Sequence, residues 1–428
     1  MPSTPQIFLS AGEASGERYG AMLIEAVRAA RPDAEFFGLG GTAMEAAGCE
    51  RIVLTEDMAV MGITEVLRHL PRIYGEYRRL VRSIRARKPD VAVLIDFPDV
   101  NFRLAKEIKQ SGIPVIYFVS PQLWAWKQYR VRWVRERVSK MLVIFPFEEK
   151  YYRERGVDAE FVGHPLADLP LPTVTRQDYA SQYGLDEAKE WIGLLPGSRA
   201  KELRHNLPVM AEAANLLGSS YEFLLPAAAT LEPDWVRRMV AECQSEGSGI
   251  DVPIHVVEDA RAALFHARAS VVASGTATVE AALIGNPFIA VYRLSKFSYA
   301  VARRLVDVPH VAMVNLIAGK RIVPELIQEE FTAKNVAHAL RPLLEETADR
   351  SQAVKALEGV RRTLHGEMEA DGSSFRMRLE NPTGASSASV PVRTAIDRAA
   401  AWVLRFLDRE HRDSTQPRNG SHIPDIHG

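Results

Sequence analysis

Two carboxylates stand just beyond a very apolar run: Val91-Ala-Val-Leu-Ile95 is followed by Asp96-Phe97-Pro98-Asp99. An acid at the carboxyl end of a buried strand sits where open α/β sheets place their sites, and it can serve as a general base. Pro98 fixes the backbone between the two acids. Asp99 reads as readily as the N-cap of a helix through Leu104 and Ile108, which leaves Asp96 as the candidate base. Further on, Leu194-Leu195-Pro196-Gly197-Ser198-Arg199 joins a strand to a helix expected near Glu202. Ser198, Arg199 and backbone N–H groups can converge there on an anion, and the planar Arg fork suits phosphate. A third segment repeats the theme: after Val271-Val-Ala273 comes Ser274-Gly275-Thr276, and Glu280 lies early on the next helix. The turn offers donors to phosphate, and Glu280 can accept both hydroxyls of a ribose. Thr276 and Glu280 read equally as a helix cap and a first-turn acid.

Weaker candidates flank these. The first strand ends in Ser10-Ala-Gly12-Glu13-Ala14-Ser15-Gly16-Glu17. Gly12, Glu13, Ser15 and Gly16 form a loop where a ligand can approach backbone at a helix N-terminus, although the two acids repel a diphosphate and a plain tight turn fits as well. Asn315 and Gln328 are polar groups that read sugar hydroxyls or cap helices, and His164 in Gly-His-Pro is ambiguous between structural and catalytic use. The chain has no G-x-x-x-x-G-K-[ST], H-E-x-x-H or EF-hand motif and no Ser/His/Asp order, so P-loop NTPase, metalloprotease and calcium-sensor readings fall away.

Short apolar runs alternating with amphipathic stretches must position these groups, a pattern of βα units feeding parallel sheets. The first-half strand candidates are Ile7-Leu9, Phe36-Gly38, Val91-Ile95, Val115-Val119 and Met141-Phe145. The second half offers Trp191-Leu195, Tyr221-Leu225, Ile254-Val257, Ser270-Ala273 and Phe288-Tyr292. The predicted fold is α/β, with two doubly wound domains, 1–170 and 171–365. Three prolines within Pro165 to Pro172 make the connection stiff. A Ser/Ala/Gly/Pro-rich tract makes 366–393 a linker or insertion, helical periodicity from Ile396 to Leu407 predicts a packed helix over 394–410, and 411–428 reads as a disordered tail.

The chain's 428 residues exceed what one core organises well, in keeping with two domains. Only Cys49 and Cys243 occur, which excludes a disulfide framework and a cysteine zinc site and suits a reducing, cytoplasmic setting. No secretory signal is visible at the start, and the longest stretch without a charge, Gln110 to Trp126, is broken by Gly112, Pro114 and Pro121. The net charge of -1 argues against a nucleic-acid partner. That average conceals a basic amphipathic helix at residues 68–88, with Arg78, Arg79, Arg82 and Arg85, and a basic stretch at 127–140 directly after Trp124-Ala-Trp126. Both read either as solvated helix faces or as a surface for an anionic membrane.

Together these strings resemble one family. Gly12-Glu-Ala-Ser-Gly16-Glu17, Ala59-Val-Met-Gly62, Ile95-Asp96-Phe-Pro98-Asp99, Val119-Ser-Pro-Gln-Leu-Trp-Ala-Trp126, Phe161-Val-Gly-His-Pro165, Leu195-Pro-Gly-Ser-Arg199 and Ser274-Gly-Thr-Ala-Thr-Val-Glu280 closely resemble, in order, the lipid-A-disaccharide synthase family of GT-B glycosyltransferases. The resemblance covers about residues 6 to 345. It implies two Rossmann-like domains facing across a cleft, an N-terminal one for acceptor and membrane and a C-terminal one for the UDP-sugar. It also implies transfer of 2,3-diacylglucosamine from its UDP derivative to the 6-hydroxyl of 2,3-diacylglucosamine 1-phosphate. The product is the β-1,6 disaccharide of lipid A, made without a metal or other cofactor at the cytoplasmic face of the inner membrane.

On this resemblance Asp96 is the general base, while Arg199, Glu280, Asn315 and Gln328 serve the UDP-sugar, alongside Ser198, Ser274, Gly275 and Thr276 from the residue reading. Trp124, Trp126 and the four arginines belong to the membrane or acceptor side. Glu17 departs from the family's usual Asp, which is tolerable in a helix cap and consequential in a ligand contact. The 372–393 insertion allows the last helix to cross back to an N-terminal domain within one subunit or between two, leaving a homo-oligomer open. The rivals are another UDP-sugar GT-B enzyme, such as the muramyl-peptide N-acetylglucosaminyltransferase or a UDP-N-acetylglucosamine epimerase, and a catalytically silent sugar-nucleotide or lipid-binding protein.

Overall fold

Apolar runs of this length form strands when helices cover both of their faces, which is why Val91–Ile95 carries no polar position at all. The computed structural model of the chain describes residues 4–58, 63–228, 230–245, 249, 251–293, 309–366 and 394–415. Ala59-Val-Met-Gly62, the linker 367–393 and the end of the expected tail lie outside the described residues.

The first unit holds β1 (Gln6–Ala11), β2 (Glu35–Gly40), β3 (Cys49–Leu54), β4 (Val91–Ile95), β5 (Val115–Phe118), β6 (Lys140–Val143) and β7 (Ala159–Phe161). They form a seven-stranded parallel sheet in the order 3-2-1-4-5-6-7. The second unit, which begins at Leu166, holds β8 (Glu190–Leu195), β9 (Tyr221–Pro226), β10 (Ile254–Val257), β11 (Ala269–Ala273), β12 (Phe288–Tyr292) and β13 (Glu325–Ile327). Its parallel sheet runs 10-9-8-11-12-13. The expected α/β class with two doubly wound halves is what the chain forms. Strands β3, β7 and β13 were not among the sequence-based candidates, and each lies at an edge of its sheet.

In each sheet the strand order reverses once, between β1 and β4 and between β8 and β11. At such a point neighbouring crossovers leave to opposite faces and open a crevice beyond the strands' carboxyl ends. Register sets the loops side by side: Ala11 pairs with Ile95, and Leu195 with Val272.

The helix Ala395–Thr415 belongs to the first unit and packs on the helix Ala14–Ala30. It runs past its expected end at residue 410, so the stretch from His411 begins as helix rather than as a disordered tail. Ile396, Ala399, Val403 and Leu407 are buried. Arg398 Nε donates to the Val162 carbonyl at 2.6 Å and Trp402 Nε1 to Glu160 at 3.0 Å. Lys140 Nζ, paired with Asp158 at 2.8 Å, lies 3.9 Å from the Trp402 ring centroid. Because Leu407 fills the first unit's interior, Leu407→Ala is expected to destabilise that unit by about 2–4 kcal/mol in urea unfolding, against a change near zero were the helix a loose appendage.

Candidate active site

Asp96 occupies the tip of β4, at the first switch point. Its backbone is left-handed (φ 44°), as is that of Phe97 (φ 48°), a conformation non-glycine residues adopt only under constraint. The turn aims the chain into the helix Pro98–Gln110, with Pro98 at its first position. Phe97 holds the N-cap place that Asp99 was a candidate for; Asp99 instead meets Arg130 Nη1 at 2.9 Å. Burial, reinforced by the neighbouring Glu13 carboxylate, pushes the Asp96 carboxyl up to about 7, against the pull of the Phe97 N–H. A carboxylate so tuned takes up a proton near neutral pH.

The loop after β1 completes this corner. A Cβ on Gly12 would fall inside the Phe97 ring, so only glycine lets the ring lie there. Glu13 and Ser15 are exposed at the start of the helix Ala14–Ala30, and Gly16 is buried against β4. Glu17 Oε1 accepts the N–H of Ala43 at 2.8 Å, which places it as a cap for the helix Thr42–Ala46, the use in which Glu in place of Asp is tolerable.

The segment after β5 starts at Val119, whose φ of 63° is an outlier for a β-branched residue. Behind it lies Glu148, wholly buried on the helix Pro146–Arg153 and missed by sequence reasoning. It accepts Trp124 Nε1 at 3.1 Å and the Phe145 N–H at 3.2 Å, and burial pushes its carboxyl up to about 8. Trp124 is thus half-buried and fixed, with its ring edge-on to Phe147, whereas Trp126 is 46% exposed beneath Lys127. His164 is buried against Phe145, and burial lowers it to about 3, so it stays neutral.

In the second unit, Ser198 and Arg199 leave the tip of β8 and Ser274, Gly275 and Thr276 the tip of β11. Gly275 has φ 156° and ψ -160°, a region open to glycine alone, and among the described residues no atom beyond its chain neighbours and its own helix backbone lies within 4 Å of where a Cβ would stand. Backbone there is open to a close-lying ligand. Glu202 Oε2 accepts the Ser198 N–H at 3.1 Å, and Arg199 Nη1 meets Glu202 Oε1 at 3.1 Å. The helix begins at Ala200, ahead of its expected start. Glu280 is half-buried on the helix Thr276–Ile284. Gln328, buried and left-handed (φ 54°), follows β13 at the start of a 3-10 turn.

Asn315 is the exception among these residues. Its Oδ1 accepts the Ile322 and Val323 N–H groups at 2.8 and 3.0 Å, while Nδ2 donates to the Val323 carbonyl at 3.0 Å and to Glu325 at 2.7 Å. The hydrogen-bonding capacity of the Asn315 side-chain amide is thus taken up within the protein. Glu325 also accepts the Ala312 N–H at 2.9 Å, and Ser274 Oγ reaches the Val311 carbonyl at 3.2 Å. Asn315 therefore shapes the wall beside Ser274.

Arg78, Arg79, Arg82 and Arg85 line the exposed side of the helix Ile63–Arg87, with Tyr74 59% exposed beside them. Arg85 pairs with Glu107 at 2.6 Å and Arg79 with Glu76 at 3.7 Å. Among the described residues no helix is long and apolar enough to cross a membrane, and no three His, Cys, Asp or Glu side chains could hold a metal ion.

Two parallel α/β units with polar groups at their switch points define the GT-B class of glycosyltransferases and related epimerases. Solved structures agree on the fold: a calicheamicin glycosyltransferase (TM-score 0.55, 14% identity, 96% of this chain and 99% of that one) and the UDP-GlcNAc 2-epimerase of Neisseria meningitidis (0.55, 12%, 94% and 99%). The family model described as lipid-A-disaccharide synthetase matches residues 7–375. The lipid-A-disaccharide synthase of Acidobacterium capsulatum is 61% identical over 386 residues, 89% of this chain and 96% of its own length. That of Koribacter versatilis is 52% identical over 374 residues, 87% and 96%. The chain belongs to the lipid-A-disaccharide synthase family, and it is a glycosyltransferase with that activity.

The raised Asp96 carboxyl has a thermodynamic signature. Between the usual carboxyl range and pH 7 the folded chain holds a proton that the unfolded chain releases, so this group lowers stability as pH rises through that window. Asp96→Asn should therefore melt above wild type at pH 8 and level with it at pH 4; an equal difference at both values would show that burial of the charge is not the cause.

Proposed function

We propose that the enzyme joins two acylated sugars by one in-line displacement, with Asp96 as base. The reaction forms the lipid A disaccharide from UDP-2,3-diacylglucosamine and 2,3-diacylglucosamine 1-phosphate. The acceptor's 6-hydroxyl oxygen bonds to the donor's anomeric carbon, the bond from that carbon to the diphosphate breaks, and UDP leaves. An α-linked donor thereby gives a β-linked product. The hydroxyl proton goes to Asp96, and the observation that carries this assignment is the carboxylate's place at the β1/β4 switch point with its pKa near 7.

Negative charge grows on the leaving diphosphate as the bond breaks. Arg199, the Ser198 N–H and the open backbone at Gly275 are the donors suited to it. Glu202 holds the first two of these, so the diphosphate takes them over from a carboxylate. Glu280 and Gln328 are assigned to the nucleotide-sugar, and Asn315 supports Ser274 from behind. No metal is part of this scheme.

The acceptor and donor are lipids, and the first unit carries the features suited to an anionic inner-membrane surface from the cytoplasmic side. Each basic residue near such a surface contributes about 1 kcal/mol, and exposed Trp126 and Tyr74 supply rings for the interface.

Purified protein supplied with both lipids and a chelator is expected to release UDP and disaccharide; absence of product would refute the reading. Asp96→Asn should lower turnover about 10²- to 10⁴-fold while UDP binding by calorimetry stays intact. For the membrane, the fourfold variant Arg78→Gln, Arg79→Gln, Arg82→Gln and Arg85→Gln should sediment less with anionic vesicles and no differently with neutral ones. Unchanged sedimentation with the anionic vesicles would remove these arginines from the membrane face.

A further inference from the structure

We infer that Asn101 and Tyr117 are positioning residues for Asp96, clamping the left-handed turn at the tip of β4 so that its carboxylate keeps one place. The inference rests on the reading of Asp96 as base. Two successive non-glycine residues with φ near +45° relax to ordinary backbone unless their surroundings hold them. The Asp96 carbonyl oxygen receives two side-chain donors: Asn101 Nδ2 at 2.8 Å and the Tyr117 hydroxyl at 2.6 Å. Asn101 Nδ2 also faces the Ile95 carbonyl at 3.2 Å, and its Oδ1 accepts Ser10 Oγ, from β1, at 2.6 Å. The Asp96 N–H donates to the Phe118 carbonyl at 3.1 Å, and the Asn101 N–H to that of Phe97 at 3.0 Å. β5 and the following helix thus bond Asp96 directly, and β1 braces Asn101 from behind.

Packing alone does not ask for these groups. Tyr117 and Asn101 are wholly buried, and the Tyr117 ring lies 5.5 Å from that of Phe102, where a phenylalanine would fill the same space. A hydroxyl carried into such a site is unfavourable unless it is bonded, and its bond goes to Asp96. Burial keeps the phenol protonated, so it remains a donor. The charged groups facing this corner are Glu13 from the β1 loop and Asp99 with its partner Arg130.

The test uses the full-length enzyme with both lipid substrates. Tyr117→Phe and Asn101→Ala are expected to lower kcat about 10- to 100-fold, with KM for donor and acceptor unchanged. The acid limb of the kcat/KM profile should move to lower pH, because a loosened carboxylate gains water and returns toward the ordinary carboxyl range. In the Asp96→Asn background, Tyr117→Phe should bring no further loss. Wild-type kcat with an unmoved limb in Tyr117→Phe would overturn the inference while leaving Asp96 as base. A full additional loss in the Asp96→Asn background would overturn it too, since the phenol would then act by another route. Near-normal turnover of Asp96→Asn itself would instead refute the base reading, without either clamp variant being needed. Should Asn101→Ala fail to fold, the isosteric Tyr117→Phe decides the question alone.

Discussion

Parallel strands cannot be joined by tight turns, so each strand of this protein is returned by a crossover, and crossovers are right-handed. The chain winds one way from β1 through β3, then back across from β4 onward, and the second unit does the same from β8. That reversal is the constraint on which the sites depend. It leaves one gap per sheet in which two loops emerge next to each other. The loops with Gly12 and Asp96 share one gap, and those with Ser198 and Gly275 share the other.

Holding loops in those positions uses the protein's own polar groups. Glu17 caps the helix Thr42–Ala46, Glu148 binds the Trp124 indole, and Glu325 gathers the N–H of Ala312 with the amide of Asn315. Each carboxylate or acid does what a bound ligand would otherwise do for irregular backbone, satisfying donors that no ladder or helix reaches. A buried acid of this kind works as a strut between elements far apart in sequence.

This explains which parts were legible from residues alone. The interior strands were, because burial on both faces makes them unbroken apolar runs: Val91–Ile95 and Phe288–Tyr292 admit no other reading. Of the four edge strands only Ile254–Val257 was; the other three were not. Cys49–Leu54 carries Glu50 and Arg51, Glu325–Ile327 opens on an acid, and Ala159–Phe161 is three residues long. An edge strand pairs on one side only, so apolar character is not demanded of it throughout. Among the site candidates, Asp96 was legible because strand-tip position and residue type coincide. The structural part of Asn315 was not legible, because its type suits a sugar as well as it suits a backbone, and its partners lie seven to ten positions on. Glu148 left no signal, since an acid in Pro146-Phe-Glu-Glu reads as an ordinary first-turn residue.

The two switch points differ in a way that suits opposite tasks. The Asp96 carboxyl, raised by burial to about 7, is partly ionised at neutral pH, and its ionised form is the one that, in the proposed role of base, accepts a proton from an alcohol as the new bond forms. Around Arg199 the groups are exposed, and Glu202 balances the guanidinium at 3.1 Å. Exposed charge pairs are held by little net free energy, so on the role proposed for Arg199 an incoming diphosphate would exchange with Glu202 at small cost, and the carboxylate could reclaim the same donors as UDP departs. A buried, unbalanced arginine would bind the leaving group more firmly and release it more slowly. On the proposed roles the reaction asks for a fixed base and an exchangeable anion site, and the clamped turn at Asp96 suits the first as the exposed Arg199–Glu202 pair suits the second.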